Sequence, residues 1–160
     1  MKKTVPINQL SAEEAENACR EITQLLPEYF GIAEANERYA NGVRDLPTFG
    51  AMLNGICIGM ITCEMPFPNN ANIYWIAVKK EYHGKGIGQS LLKYAEDYCL
   101  AKGCLSMTVE TLSPTENDPN YIKTYNFYRN NDFLPLFELH TYGPDFKMVY
   151  LYKILRIKSC

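Results

Sequence analysis

Apolar positions recur along this chain at two different periods. Behind Ser11 and Glu14, whose spacing is that of a capping box, Ala15, Ala18, Cys19, Ile22 and Leu26 return at helical intervals. They predict a helix over 12–26, stopped at Pro27. A short strand over 4–10 precedes it, and 33–41 reads as a second, more polar helix ending at Gly42. The runs 48–53 and 56–64 are strand-like and flank Asn54-Gly55. That pair is a strong two-residue hairpin signal, because both turn positions need positive φ. ICIGMITC is apolar on both alternating faces, which predicts a central strand covered on both sides.

Pro66, Pro68, Asn69 and Asn70 mark 66–72 as a loop, and 73–78 is a further apolar strand. Leu91, Leu92, Ala95 and Cys99 then share one helical face, closed by Gly103. Over 104–112 the pattern alternates, with Leu105, Met107 and Val109 on one face and Ser106, Thr108 and Glu110 on the other. Residues 121–130 read as a helix. Two strands, 133–140 and 146–154, are joined by Tyr-Gly-Pro-Asp, a turn sequence. The second places Phe146, Met148, Tyr150, Tyr152 and Ile154 on one face, read as core in preference to a dimer edge. The order β-α-α-β-β-β-α-β-α-β-β predicts an α/β (α+β) chain, a mixed sheet with helices on both faces. With no repeat, linker or low-complexity segment, 1–160 reads as one domain.

Composition narrows the function. Of 160 residues, 47% are hydrophobic and 21% charged, ordinary values for a folded domain. Sixteen Lys and Arg against 18 Asp and Glu give a net charge of −2, which argues against nucleic-acid binding. No apolar run is long enough to span a membrane, and the two lysines of MKKTVPINQL have no apolar run behind them, so a secretory leader is not expected. Cys19, Cys57, Cys63, Cys99, Cys104 and Cys160 form no CxxC pair, and His83 and His140 are the only histidines. A metal site is not expected, and a reduced, cytoplasmic protein fits best.

The segment His83-Gly84-Lys85-Gly86-Ile87-Gly88-Gln89 follows a strand and opens a helix. Three glycines in five residues let a ligand approach the backbone closely. Unpaired N–H groups and the helix dipole make such a start an anion site, and Lys85 adds a positive charge. A phosphate-bearing ligand is the natural guest; a ligand-free turn is the alternative. The Walker pattern is absent, and a GxGxxG begun at Gly86 would put its last glycine at Leu91, so a nucleotide-binding protein is the weaker reading.

IAVKKEYHGKGIGQSLLKYAEDYCLAKG resembles the acetyl-CoA-binding motif of the GNAT N-acetyltransferase family, Gln/Arg-x-x-Gly-x-Gly/Ala, with His83, Gly86 and Gly88 at the defined positions. Phe127-Tyr128-Arg129-Asn130-Asn131-Asp132-Phe133 resembles the family's "FY…GF" segment, and the matches span about 52–154 in family order. The resemblance implies the GNAT fold, a mixed, mostly antiparallel sheet of six to seven strands with helices on both faces. It implies acetyl-CoA as cosubstrate, no metal, a small amine-bearing acceptor, and direct attack in a ternary complex. It leaves room for a homodimer through the C-terminal strands. Ile76, Ala77 and Val78 would pair with the pantetheine arm. The amides of Gly84, Lys85, Gly86, Ile87, Gly88 and Gln89 would hold the diphosphate. Tyr128 would protonate the leaving thiolate, and Asn126 and Arg129 would line the cofactor rim. Three departures stand out: His83 replaces Arg or Gln, Asp132 replaces the glycine of "GF", and Tyr121, preceded by Asn120, replaces a common asparagine.

An amine nucleophile must lose its proton, since an alkylammonium has a pKa of about 10.4. Glu110, mid-strand, and Glu64, closing ICIGMITC, are the candidate bases; each also suits a solvated or ion-paired strand carboxylate. The backbone N–H of Val78 is the candidate oxyanion donor. Glu81 beside the glycine loop faces solvent, and a covalent route through Cys63 or Cys104 lacks a partner histidine. In this fold the acceptor is met by the first two helices, their loop and the late hairpin. Glu13, Glu14, Glu16, Glu34, Glu37 and Asp45 with Tyr29, Phe30 and Tyr39 would suit a cationic amine, or form a solvated helix face. A non-catalytic acyl-CoA-binding or regulatory module on the same fold is the alternative function.

Overall fold

The computed structural model describes residues 4–156, so Cys160, expected to be a reduced thiol, lies outside the described residues. Seven strands form one sheet in the order β1-β2-β3-β4-β5-β7-β6, mostly antiparallel and flanked by four helices. The chain divides into two compact units. The first comprises the chain to Glu64 with Tyr74–Cys99, the second Met65–Ile73 with the chain from Leu100.

In the first unit, strand β1 (Ile7–Gln9) pairs antiparallel with β2 (Thr48–Leu53), and β2 with β3 (Ile56–Phe67). Asn54 and Gly55 both take positive φ, as the hairpin requires. The buried hydroxyls of Thr48 and Thr62 meet at 2.8 Å across the β2–β3 ladder. Residues 58–63 are buried without a break, the mark of a strand covered on both faces. Helix α1 (Ala12–Leu25) starts at the expected box: the Ser11 N–H donates to Glu14 at 2.7 Å and the Glu14 N–H to Ser11 Oγ at 3.2 Å. Its apolar stripe is buried with Ala40, Val43, Met60 and Trp75.

Helix α2 (Ala33–Gly42) runs through Gly42 and into a 3₁₀ turn at Val43–Asp45. The helix ends at Gly42, as expected, but at φ −66° the glycine is not a left-handed cap. It is there for space: a Cβ on it would lie 2.8 Å from Cζ of Tyr74. Helix α3 (Ile87–Ala101) buries Leu91, Leu92, Ala95 and Cys99 as expected, and Gly103 follows at φ +94°.

In the second unit, β3 ends and β4 (Asn70–Val78) begins around a tight turn at 68–69, with Asn69 at φ +69°. This corrects the expected loop over 66–72. The prolines fall at an exposed strand end, where a missing N–H costs little. Strand β5 (Ser106–Leu112) runs parallel to β4 at Asn70–Asn72 and antiparallel to β7 (Met148–Ile154), which pairs with the edge strand β6 (Leu134–Leu139). The Oδ1 atoms of Asn70 and Asn72 each accept a hydroxyl at 2.9 Å, from Ser106 and Thr108.

Three expectations fail here. Leu105 precedes the strand and is 61% exposed, leaving Met107 and Val109 as the buried pair. The last strand buries Val149 and Leu151, not the aromatic face, and Phe146 and Ile154 are about half exposed. Helix α4 (Pro119–Asn130) begins two residues early, because Asp118 Oδ1 accepts the N–H groups of Asn120 (2.9 Å) and Tyr121 (3.3 Å) and Pro119 sits in the first turn.

Candidate functional site

The glycine loop of the first unit joins β4 to α3. Gly84 and Gly86 hold φ +72° and +81°, and a Cβ on either would meet open space. Lys85 between them lacks positive φ. Left-handed glycines at a helix start are the kind of backbone from which anion-binding concavities of N–H groups are built. The first helical bond of α3 runs from the Ser90 N–H to the Gly86 carbonyl at 3.0 Å. Helix geometry therefore leaves the N–H groups of Ile87, Gly88 and Gln89 without intrahelical acceptors. The loop is exposed apart from Ile87, which anchors it in the core, and half-buried Gly88. Lys85 Nζ lies over the Tyr82 ring, 5.3 Å from its centroid. Exposed backbone amides, a helix N-terminus and a neighbouring ammonium are the chemistry that suits an anion.

Just before the loop, Ile76, Ala77 and Val78 are half-buried at the end of β4. His83 Nε2 bonds the Val78 carbonyl at 2.6 Å, so the side chain is engaged by its own strand. Lys79, only 5% exposed, donates from its backbone to the Ile58 carbonyl (2.8 Å) and from Nζ to Glu21 (2.5 Å). Glu81 is exposed, as expected, and Glu64 is half-buried.

In the second unit, α4 packs on β5. Tyr128 on α4 is 3% exposed, with ring centroids of Phe127 and Phe133 at 5.4 and 5.5 Å. Arg129 Nη1 donates to the Phe133 carbonyl at 2.9 Å, and Asn126 is exposed. Glu110 on β5 faces Tyr150 on β7 and accepts the Tyr142 hydroxyl from the β6–β7 loop. Burial pushes the Tyr150 phenol up; the Thr141 hydroxyl opposes this and Glu110 adds to it.

Half of the expected acidic wall is engaged within the protein. Glu16 accepts Arg20 (3.0 Å) and Arg44, and Glu37 takes Arg20 bidentately at 2.5 and 2.8 Å. Bonds from Arg44 and then Arg20 hold the Glu16 carboxyl below the usual range, and Arg20 does the same to Glu37. Glu14 serves the α1 cap. Tyr39 packs edge-on against Tyr74 and Phe30 stacks on Trp75, both at 5.4 Å. Cys63 and Cys104 are buried, and desolvation pushes the Cys19 thiol up to about 12. None of the five described cysteines is disulfide-bonded. Among the described residues no cluster of ligands could hold a metal, and no helix is long and apolar enough to cross a membrane.

Sequence reasoning missed the His83, Lys79 and Tyr142 contacts. A backbone carbonyl carries no sequence signal, and Lys79 and Glu21 lie 58 residues apart. The Glu16–Arg20 pair had a signal, the four-residue helical spacing.

No curated protein matches the chain. Solved structures match nearly all of it. A GNAT-family protein from Desulfovibrio desulfuricans is 16% identical with a TM-score of 0.83, covering 96% of this chain and 100% of its own. The ribosomal-protein-S18-alanine N-acetyltransferase of Escherichia coli is 16% identical at 0.77, covering 96% of both. An aminoglycoside 6'-N-acetyltransferase in complex with coenzyme A is 14% identical at 0.75, covering 97% and 99%. At these identities the likeness is one of fold. The family itself is shown by sequence, because the model of the acetyltransferase (GNAT) family matches residues 13–133, from the first turn of α1 to the residue after the α4 turn. The chain belongs to the acetyltransferase (GNAT) family.

Proposed function

We propose that this chain is a single cytoplasmic domain that transfers the acetyl group of acetyl-CoA to a primary amine of a small molecule or peptide, by direct attack in a ternary complex. The glycine loop carries this reading: Gly84 and Gly86 hold the backbone open in front of a 15-residue helix, where a diphosphate fits. Family membership supplies the acyl group.

Roles follow by residue. The backbone of Ile76–Val78 pairs with the pantetheine arm, and the amides of residues 84–89 hold the diphosphate. The Val78 N–H donates to the oxyanion. Glu110, or Glu64, takes the ammonium proton directly or through water. The amine nitrogen bonds to the thioester carbon, and the C–S bond breaks with its electron pair on sulfur. Tyr128 gives the sulfur a proton, and the second proton shed by the nitrogen restores the phenol through water. Asn126 and Arg129 contribute to the cofactor rim.

The test is thiol release from acetyl-CoA with a panel of polyamines, aminoglycosides, amino acids and peptides with free N-termini. An accepted amine should be turned over, and Tyr128→Phe should lower kcat about 10²-fold with CoA affinity unchanged. Unchanged turnover would remove Tyr128 from the mechanism. The burial of Tyr128 favours the second reading, a non-catalytic acyl-CoA-binding module. CoA binding without thiol release from any amine would support that reading.

A further inference from the structure

The β4–α3 connection holds a contact that the proposed reaction does not use. Nε2 of His83 lies 2.6 Å from the Val78 carbonyl oxygen, five residues back. A carbonyl only accepts, so Nε2 carries the hydrogen, which fixes the tautomer of the neutral ring. The same peptide is held at its other end, where the Lys79 N–H donates to the Ile58 carbonyl at 2.8 Å. Its plane is thus fixed from both sides at the point where β4 ends. The residue after His83 is Gly84, the first left-handed residue of the anion cradle. Gly84 and Gly86 confer conformational freedom, which an unconstrained loop would lose on binding.

We infer that His83 is a positioning residue, whose ring clasps the Val78 carbonyl and pre-shapes the glycine loop for the diphosphate. The inference rests on the acetyl-CoA reading. It assigns His83 an internal bond in place of contact with the cofactor. Exposed as it is, the side chain contributes little to the core, so its loss is expected in binding and not in folding.

The experiment compares wild type, His83→Met and His83→Gln by titration with CoA and with pantetheine, which lacks the diphosphate. Gln keeps a donor of similar reach; Met has none. His83→Met should weaken CoA binding about tenfold and pantetheine binding by much less, with ligand-free Tm unchanged, and His83→Gln should restore CoA affinity. Equal CoA affinity in wild type and His83→Met would overturn the clasp. So would equal loss for both ligands, or failure of His83→Gln to restore binding. Wild type that binds no CoA would instead overturn the acetyl-CoA reading itself.

Discussion

Asp132 holds φ +69°, a left-handed conformation that few residues other than glycine accept. The Phe133 N–H turns back to the Tyr128 carbonyl at 3.0 Å, and Phe133 is fully buried against the Tyr128 ring. Aspartate tolerates this geometry better than most, which explains how it stands where the family pattern has glycine. A β-branched residue does not. Asp132→Val should therefore cost about 1–2 kcal/mol, and Asp132→Gly should be neutral or stabilising by less than about 1 kcal/mol. Denaturant unfolding reads both, and equal stability of the Val and Gly variants would show that the backbone there is relaxed. At this scale the sequence is legible where chemistry is local. The glycines of the loop announce an open, left-handed backbone by their spacing. The His83 clasp is silent, because its acceptor is main chain. Tyr142 on Glu110 is silent too, since it joins residues 32 apart.

Helices and strands obey their patterns except where tertiary contact or turn chemistry decides. Gly42 ends its helix without the left-handed φ of a glycine cap, and Tyr74 takes the place of its side chain. Alanine there would gain about 0.5–1 kcal/mol of helix propensity. The displaced Tyr74 ring, packed against Tyr39, should cost about 1–3 kcal/mol. Gly42→Ala should thus lower stability on balance, and a rise in Tm would contradict the packing account. The proline-rich stretch 66–72 reads as a loop but is a hairpin, since Asn69 supplies the left-handed turn. Helix α4 begins early for the opposite reason: Asp118-Pro119 is a helix-start signal of the sequence itself.

Over the whole molecule, the strand and helix order was legible, because it follows from periodicity and loop chemistry. The state of the acidic residues was not, because partners such as Glu37 and Arg20 come from different helices. That network carries a pH signature. Glu16 and Glu37 titrate below the ordinary carboxylate value of 4.5 through their arginine bonds. The stability they contribute is present above that value and is lost as pH falls through the lower folded values. The Glu16→Gln, Glu37→Gln double variant should melt below wild type at neutral pH and converge with it as pH falls through the lowered folded values. A constant gap would exclude the ion pairs as its source. The central claim, that the glycine loop is a coenzyme A cradle, is tested most directly by thermal unfolding with acetyl-CoA, CoA, ATP or NAD in excess. A ligand at about 100 times its Kd adds about 2.7 kcal/mol, worth roughly 5–10 °C in a chain of this size. Shifts with acetyl-CoA and CoA, and none with ATP or NAD, are the predicted result; no shift with either CoA species would contradict the assignment.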